Sequence, residues 1–132
     1  MTSGELTPEQ TERVVAVAMD LARLGSTEQL VEFMEHGLPV DVSDAAGNTL
    51  LMLAAYHGHA DTVRALVRLG SDPDVCNARD QTPIAGALFK GADDVVAVLR
   101  QAGAELDTGT PTARETASMF GRAHLLADDD AD

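Results

Sequence analysis

Two series of glycine residues, both recurring with the same constant spacing, constrain the fold of this chain more than any other feature. One series is Gly25, Gly58 and Gly91, and the other is Gly37, Gly70 and Gly103. A fixed period of this length is typical of proteins built from repeated supersecondary units, each of which buries its apolar face against its neighbours. The chain has 132 residues, which is enough for about four such units and therefore for one domain.

Within each period the pattern predicts two helices. Thr49 and Thr82 suit N-cap positions, where a hydroxyl accepts a hydrogen bond from a free backbone N–H, and Pro83 suits the first helical position. The two glycines of each unit are expected to end its two helices, because glycine adopts the left-handed C-cap conformation at little cost. The second helix repeats two apolar positions three residues apart, which lie on one helical face. These positions are Leu30, Val63 and Val96, and then Phe33, Leu66 and Leu99.

Both ends of the chain are predicted to cap the stack. Thr7-Pro8-Glu9-Gln10 has the pattern of a capping box, so a helix is expected from about Pro8 to Leu24. The last unit is shorter, because the interval from Gly103 to Gly121 is three positions less than the interval from Gly70 to Gly91. The expected division is a lead-in at 1–11, a capping repeat at about 12–43, repeats at about 44–76 and 77–108, a shortened capping repeat at about 109–127, and a frayed acidic tail at 128–132.

The complete second unit resembles the ankyrin repeat. It has an Asp-x-x-Gly-x-Thr turn at 44–49, an Ala-Ala pair at 54–55, Gly58-His59, and Gly70-Ser71-Asp72. The resemblance covers roughly residues 12 to 126. It implies an all-α solenoid of stacked helix-turn-helix units with short β-turn loops, in which two full repeats lie between an N-terminal and a C-terminal capping repeat.

The chain departs from the ankyrin pattern at its turns. The histidine that ties neighbouring turns together in the family is replaced by Met52 and Ala85, so a less rigid stack is expected. Asp80 stands where the turn glycine should be. Because aspartate tolerates positive φ better than most residues, we expect this turn to form at some energetic cost.

The resemblance implies protein binding through the concave side of the stack, which the turns and first helices line. The positions expected to face that side are Ala45, Ala46, Asn48, Ala78, Arg79 and Gln81 at the turns, Tyr56, His57, Phe89 and Lys90 at the helix ends, and Arg23 in the first unit. Tyr56 and Phe89 take the same place in successive units, and exposed aromatic residues are common binding anchors. A purely structural role, in which both rings cover the helix junction, stays open. The cations at 23, 79 and 90 would suit an acidic patch on a partner.

The net charge of −13 limits the classes of partner. Nucleic acid and anionic membranes would be repelled, because both are bound by clustered Lys and Arg. The charge suits a soluble monomer, but it would also steer the chain toward a basic protein. Two alternatives to an adaptor or regulator therefore stay open, namely an acidic inhibitor or protective partner of a basic protein, and a self-associating structural domain.

The sequence carries no recognisable catalytic or metal-binding motif. Cys76 is the only cysteine, so neither an internal disulfide nor a closed thiolate zinc site is expected. Gly-x-Ser-x-Gly and phosphate-loop motifs are absent. We expect no enzyme activity, cofactor, metal or small-molecule substrate. The polar N-terminus and the lack of a long apolar run favour a cytoplasmic protein.

Overall fold

The structure is a computed structural model that describes residues 6–127 of the chain. In this range it contains seven α-helices and one short 3-10 helix, joined by turns and loops. The α-helices are α1 (Pro8–Leu24), α2 (Thr27–Glu35), α3 (Leu50–Tyr56), α4 (Ala60–Arg68), α5 (Pro83–Lys90), α6 (Asp93–Gln101) and α7 (Ala113–Met119), and the 3-10 helix is Ala123–Leu126. Within that range the only β-structure is one antiparallel bridge between Ser43 and Thr49. The predicted all-α repeat fold is confirmed. The acidic tail predicted at 128–132, and the first five residues of the predicted lead-in, lie outside the described residues.

The helices begin where the sequence predicts. The hydroxyl of Thr49 accepts a hydrogen bond from the backbone N–H of Met52 at 3.1 Å, and Thr82 does the same for Ala85 at 3.2 Å. The helix α1 has the predicted capping box between Thr7 and Gln10. The backbone N–H of Thr7 donates to Oε1 of Gln10 at 2.8 Å, and the backbone N–H of Gln10 donates to the Thr7 hydroxyl at 3.0 Å. These bonds satisfy backbone donors that would otherwise have no partner inside the helix.

Two layers of helices form the stack. The helices α1, α3, α5 and α7 pack side by side in one layer, while α2, α4, α6 and the 3-10 helix form the other. The central helix α3 contacts α1, α4 and α5, and its residues 50–55 are all at most 7% exposed. The apolar positions predicted on the second helices face the core, where Leu66 and Leu99 are buried and Phe33 is partly buried.

Direct hydrogen bonds join successive turns, although the family histidine is absent. The N–H of Ala78 donates to the carbonyl of Ala46 at 2.9 Å, and the N–H of Thr110 donates to the carbonyl of Asp80 at 2.8 Å. Asp80 adopts the positive φ that its position predicted, at 61°, and its carboxylate accepts a second bond from the Thr110 hydroxyl at 2.7 Å. The reduced rigidity expected from the missing histidine stays a prediction.

Some of the acidic residues also link one repeat to the next. The Oδ1 of Asp41 accepts a hydrogen bond from the N–H of Asp72 at 3.1 Å, and the Oδ1 of Asp74 accepts one from the N–H of Glu105 at 2.7 Å. Asp41 and Asp74 are separated by one full period of the repeat, so the bond recurs with it. Part of the negative charge therefore has a structural role.

Candidate partner-binding groove

Two adjoining depressions line the side of the stack where the turn tips meet the ends of the first helices. Their volumes are about 390 and 420 Å³, and Met52, Tyr56 and Gln81 border both. We call the two depressions together the concave groove. The first reaches toward α7, and the second reaches toward Arg23 at the end of α1.

Three aromatic rings form a continuous row along the groove. Tyr56 and Phe89 are stacked, with centroids 6.4 Å apart and planes inclined by 8°. The ring of Phe120 meets Phe89 edge-on at 5.2 Å. We call these three residues the aromatic ladder. Their exposed fractions are 38%, 47% and 44% respectively, so each ring contacts its neighbour and still presents much of its surface to solvent.

The repeat explains how the ladder arises and why the sequence indicated only part of it. Tyr56 and Phe89 are one period apart, at the ends of α3 and α5, which pack side by side. The next unit is three residues shorter, so Met119 takes the equivalent position and Phe120 follows it. Both side chains border the first depression, and sequence reasoning missed them. Counting forward from Phe89 with the period of the shortened unit would have identified Met119.

Gly86 leaves room beneath the ladder. It lies in α5 and borders the first depression. A Cβ atom added there would lie 3.5 Å from Cδ1 of Tyr56 and 4.0 Å from the sulfur of Met52. A larger side chain at this position would therefore occupy space that the groove now keeps open.

The residues predicted to bind a partner lie together on this side of the molecule. Those bordering the second depression are Arg23, Ala46, Asn48, Tyr56, His57, Ala78, Arg79 and Gln81. Phe89 borders the first depression, and Lys90 places its Nζ 5.0 Å from the centre of the Tyr56 ring. Ala45 borders a neighbouring depression that also includes Arg23. Their shared position is a finding, whereas their contact with a partner stays a prediction.

Side chains from the following units cover the ends of the first helices at two junctions. The Nε2 of His59 donates to the carbonyl of Arg23 at 2.7 Å, and its ring lies over Gly25, where an added Cβ would meet Nδ1 at 2.6 Å. Arg122, at the same place in the shortened unit, donates to the carbonyls of Leu88 and Phe89 at 3.1 and 3.4 Å. These bonds fix the helix ends from which the groove side chains project.

Charge is distributed unevenly around the groove. None of the residues that line the two depressions is Asp or Glu, although 22 of the 132 residues in the chain are acidic. Other surface depressions do include carboxylates, such as Glu32 in one and Glu12, Asp20 and Asp44 in another. The groove is therefore locally neutral to cationic on an acidic protein.

Two titratable groups near the groove have shifted pKa values. Burial, the neighbouring His59 and the cations of Lys90 and Arg23 lower the pKa of His57, so its ring is predominantly neutral at pH 7. Burial, together with Asp80 and Asp74, raises the pKa of the Cys76 thiol. A protonated thiol is a poor nucleophile, so Cys76 does not have the character of a reactive cysteine.

Two further kinds of site are not found among the described residues. Across residues 6–127, no group of three or more His, Cys, Asp or Glu side chains is placed to hold a metal ion. In the same range, no helix is long and apolar enough to cross a membrane.

Comparison with known proteins identifies the repeat. A sequence model described as ankyrin repeats, in three copies, matches residues 18–110. A putative ankyrin repeat protein of Pseudomonas aeruginosa is 47% identical over 55 residues, covering 42% of this chain and 32% of that protein. Human oxysterol-binding protein-related protein 1 is 36% identical over 86 residues, covering 64% of this chain and 9% of that protein. The chain thus spans about a third of the first relative's length and under a tenth of the second's.

Proposed function

The chain belongs to the ankyrin-repeat family, and we propose that it is an adaptor or regulator that holds a protein partner in its concave groove. Ankyrin repeats generally mediate interactions between proteins, and the family is generally not enzymatic. The family alone does not select a surface on this chain or a partner. The proposal therefore rests on the groove and on the chemistry of the side chains around it.

The exposure of the aromatic ladder is the observation that carries the proposal. Three rings that only covered the helix junction would be expected to lie in the core, but each is between 38% and 47% exposed. Aromatic side chains contribute large apolar area at interfaces and are frequent hot spots of binding energy.

The groove is also preformed. The ladder rings project from the ends of helices whose interior residues are buried, as in α3, where residues 50–55 lie in the core. A surface held in this way loses little conformational entropy when a partner binds. We propose as contacts the eleven positions predicted from the sequence, extended by Met119 and Phe120.

Affinity capture from lysate of the source cells tests this function. The bait is the parent chain, the Tyr56→Ala/Phe89→Ala variant, or a Val17→Ala/Leu69→Ala control. The control also truncates two exposed apolar side chains, at 48% and 43% exposure, but neither lines the groove. Circular dichroism verifies that all three proteins are folded.

A partner that is lost with the ladder variant and kept by the control supports binding in the groove. A partner kept equally by both variants contradicts it. If a partner that both variants keep is released by moderate salt, the hypothesis of an acidic inhibitor of a basic protein is favoured, because salt screens the attraction between opposite charges. Concentration-dependent sedimentation without a captured partner would favour the self-associating domain.

A further inference from the structure

We propose that the segment which enters the concave groove is an acidic peptide carrying a large apolar side chain. This inference rests on the proposed function and adds the chemistry of the partner. The apolar side chain would lie against the aromatic ladder, and the flanking carboxylates would reach the cations at the edge of the groove.

The distribution of cations supports an acidic ligand. The chain has nine Lys and Arg residues, and four of them are at the groove. Arg23 and Arg79 line the second depression, Lys90 lies over the ring of Tyr56, and the Cζ of Arg122 lies 5.5 Å from the ring centre of Phe120. No carboxylate lines either depression, so cationic side chains are concentrated at the groove of a chain whose net charge is −13.

Two of these cations are available to a ligand. Neither Lys90 nor Arg79 forms an ion pair with any carboxylate of residues 6–127. Two cations outside the groove are paired with carboxylates instead, because Arg64 lies 2.9 Å from Asp61 and Arg114 lies 2.9 Å from Asp107. An incoming carboxylate would therefore meet Lys90 and Arg79 without displacing a carboxylate of the chain itself.

The first depression fits the apolar part of the ligand. Its volume of about 390 Å³ is bordered by Phe89, Met119 and Phe120, with Gly86 leaving space at its base. The exposed fraction of Met119 is 62%, and a flexible thioether of this kind adapts to the shape of a bound side chain. Since Lys90 lies beside the ladder, the expected ligand has Asp or Glu close to its apolar side chain.

A second copy of the chain is a less suitable occupant. Two copies of the chain, each with a net charge of −13, repel each other before the groove of either can make contact. An acidic peptide meets some of the same repulsion, so added salt weakens the long-range repulsion and the local attraction together. Charge-reversal variants separate these effects better than a salt titration does.

The test uses selection of peptides from a random twelve-residue display library on the immobilised full chain. Four baits are compared: the parent, Phe89→Ala, Arg79→Glu/Lys90→Glu, and the control Arg64→Glu/Arg114→Glu. The two double variants change the net charge equally, but the control reverses cations that are outside the groove lining and already paired. Anisotropy titration of the enriched peptides then gives their affinities.

The proposal predicts that the parent enriches peptides rich in Asp and Glu around a large apolar residue. These peptides should bind about tenfold or more weakly to Phe89→Ala and to the groove charge reversal, and within about twofold of the parent to the control. Enriched peptides that need Phe89 but are neutral or basic would overturn the acidic ligand and leave the groove function standing. Enrichment that does not depend on Phe89, or no enrichment at all, would overturn both.

Discussion

Truncation of Leu66 tests whether the two-layer stack has been correctly assigned. Leu66 lies in α4, is 1% exposed and belongs to the core between the layers. Replacing a buried leucine by alanine removes apolar contacts and leaves a partly filled cavity, at a cost of about 2–5 kcal/mol. Domains are stable by only about 5–15 kcal/mol, so Leu66→Ala should remove a large fraction of the free energy of unfolding.

Leu69 provides a matched control at the end of the same helix. It follows the end of α4, three residues after Leu66, and is 43% exposed. Leu69→Ala should change the free energy of unfolding by less than about 1 kcal/mol, because most of its side chain is already solvated. The two variants remove the same atoms, so their difference reports burial.

Urea unfolding followed by circular dichroism measures both effects. For Leu66→Ala we expect a lower urea concentration at the unfolding midpoint and an unchanged slope of the free energy of unfolding against urea concentration. In a thermal scan, the melting temperature should fall by roughly 3–5 °C for each kcal/mol lost in a chain of this length. In so short a stack the loss should extend to all repeats, since each repeat is stabilised by its neighbours. A Leu66→Ala variant that unfolds like the parent, or a Leu69→Ala variant that is equally damaged, would refute the assigned packing.

Three further predictions concern the groove and its surroundings. Gly86→Ala should raise the free energy of unfolding by about 0.5–1 kcal/mol, because alanine favours a helix and its Cβ would make ordinary contact with Tyr56; a lower melting temperature would contradict this. Alkylation of Cys76 by iodoacetamide should be slower in the folded chain than in urea and should need a higher pH, because its pKa is raised in the fold; equal rates would contradict it. The lowered pKa of His57 means that the unfolded chain binds its proton more readily, so the stability linked to this group is present at neutral pH and is lost as the pH falls through the ordinary histidine value of about 6.5. Urea titrations between pH 5 and 8 should show a shallower dependence for His57→Gln than for the parent, and equal slopes would contradict the assignment.

Local signals in the sequence were sufficient to predict the helices. Thr49 and Thr82 cap their helices as predicted, because an N-cap bond spans only three residues. The positive φ of Asp80 was also predictable, since it occupies the position of a turn glycine in a fixed repeat frame. These features depend on residues that are close in sequence or related by one constant period.

The groove was only partly predictable, because it depends on contacts between units. Phe120 joins the aromatic ladder through the shortened last unit, where the constant period of the earlier units no longer holds. Arg122 covers the end of α5 from a position that His59 occupies two units earlier, and a change from histidine to arginine hides this equivalence. The lack of carboxylates along the groove is a property of residues brought together from several units, and overall composition indicates only an acidic protein.

The affinity of the captured partner for the Tyr56→Ala/Phe89→Ala variant, measured by isothermal titration calorimetry, tests the central claim most directly. Aromatic hot spots contribute about 2 kcal/mol or more when truncated, so the dissociation constant should rise by about thirtyfold or more. The Val17→Ala/Leu69→Ala control should stay within about twofold of the parent, because neither side chain lines the groove. Equal affinities for the ladder variant and the control would contradict the claim that the aromatic ladder binds the partner.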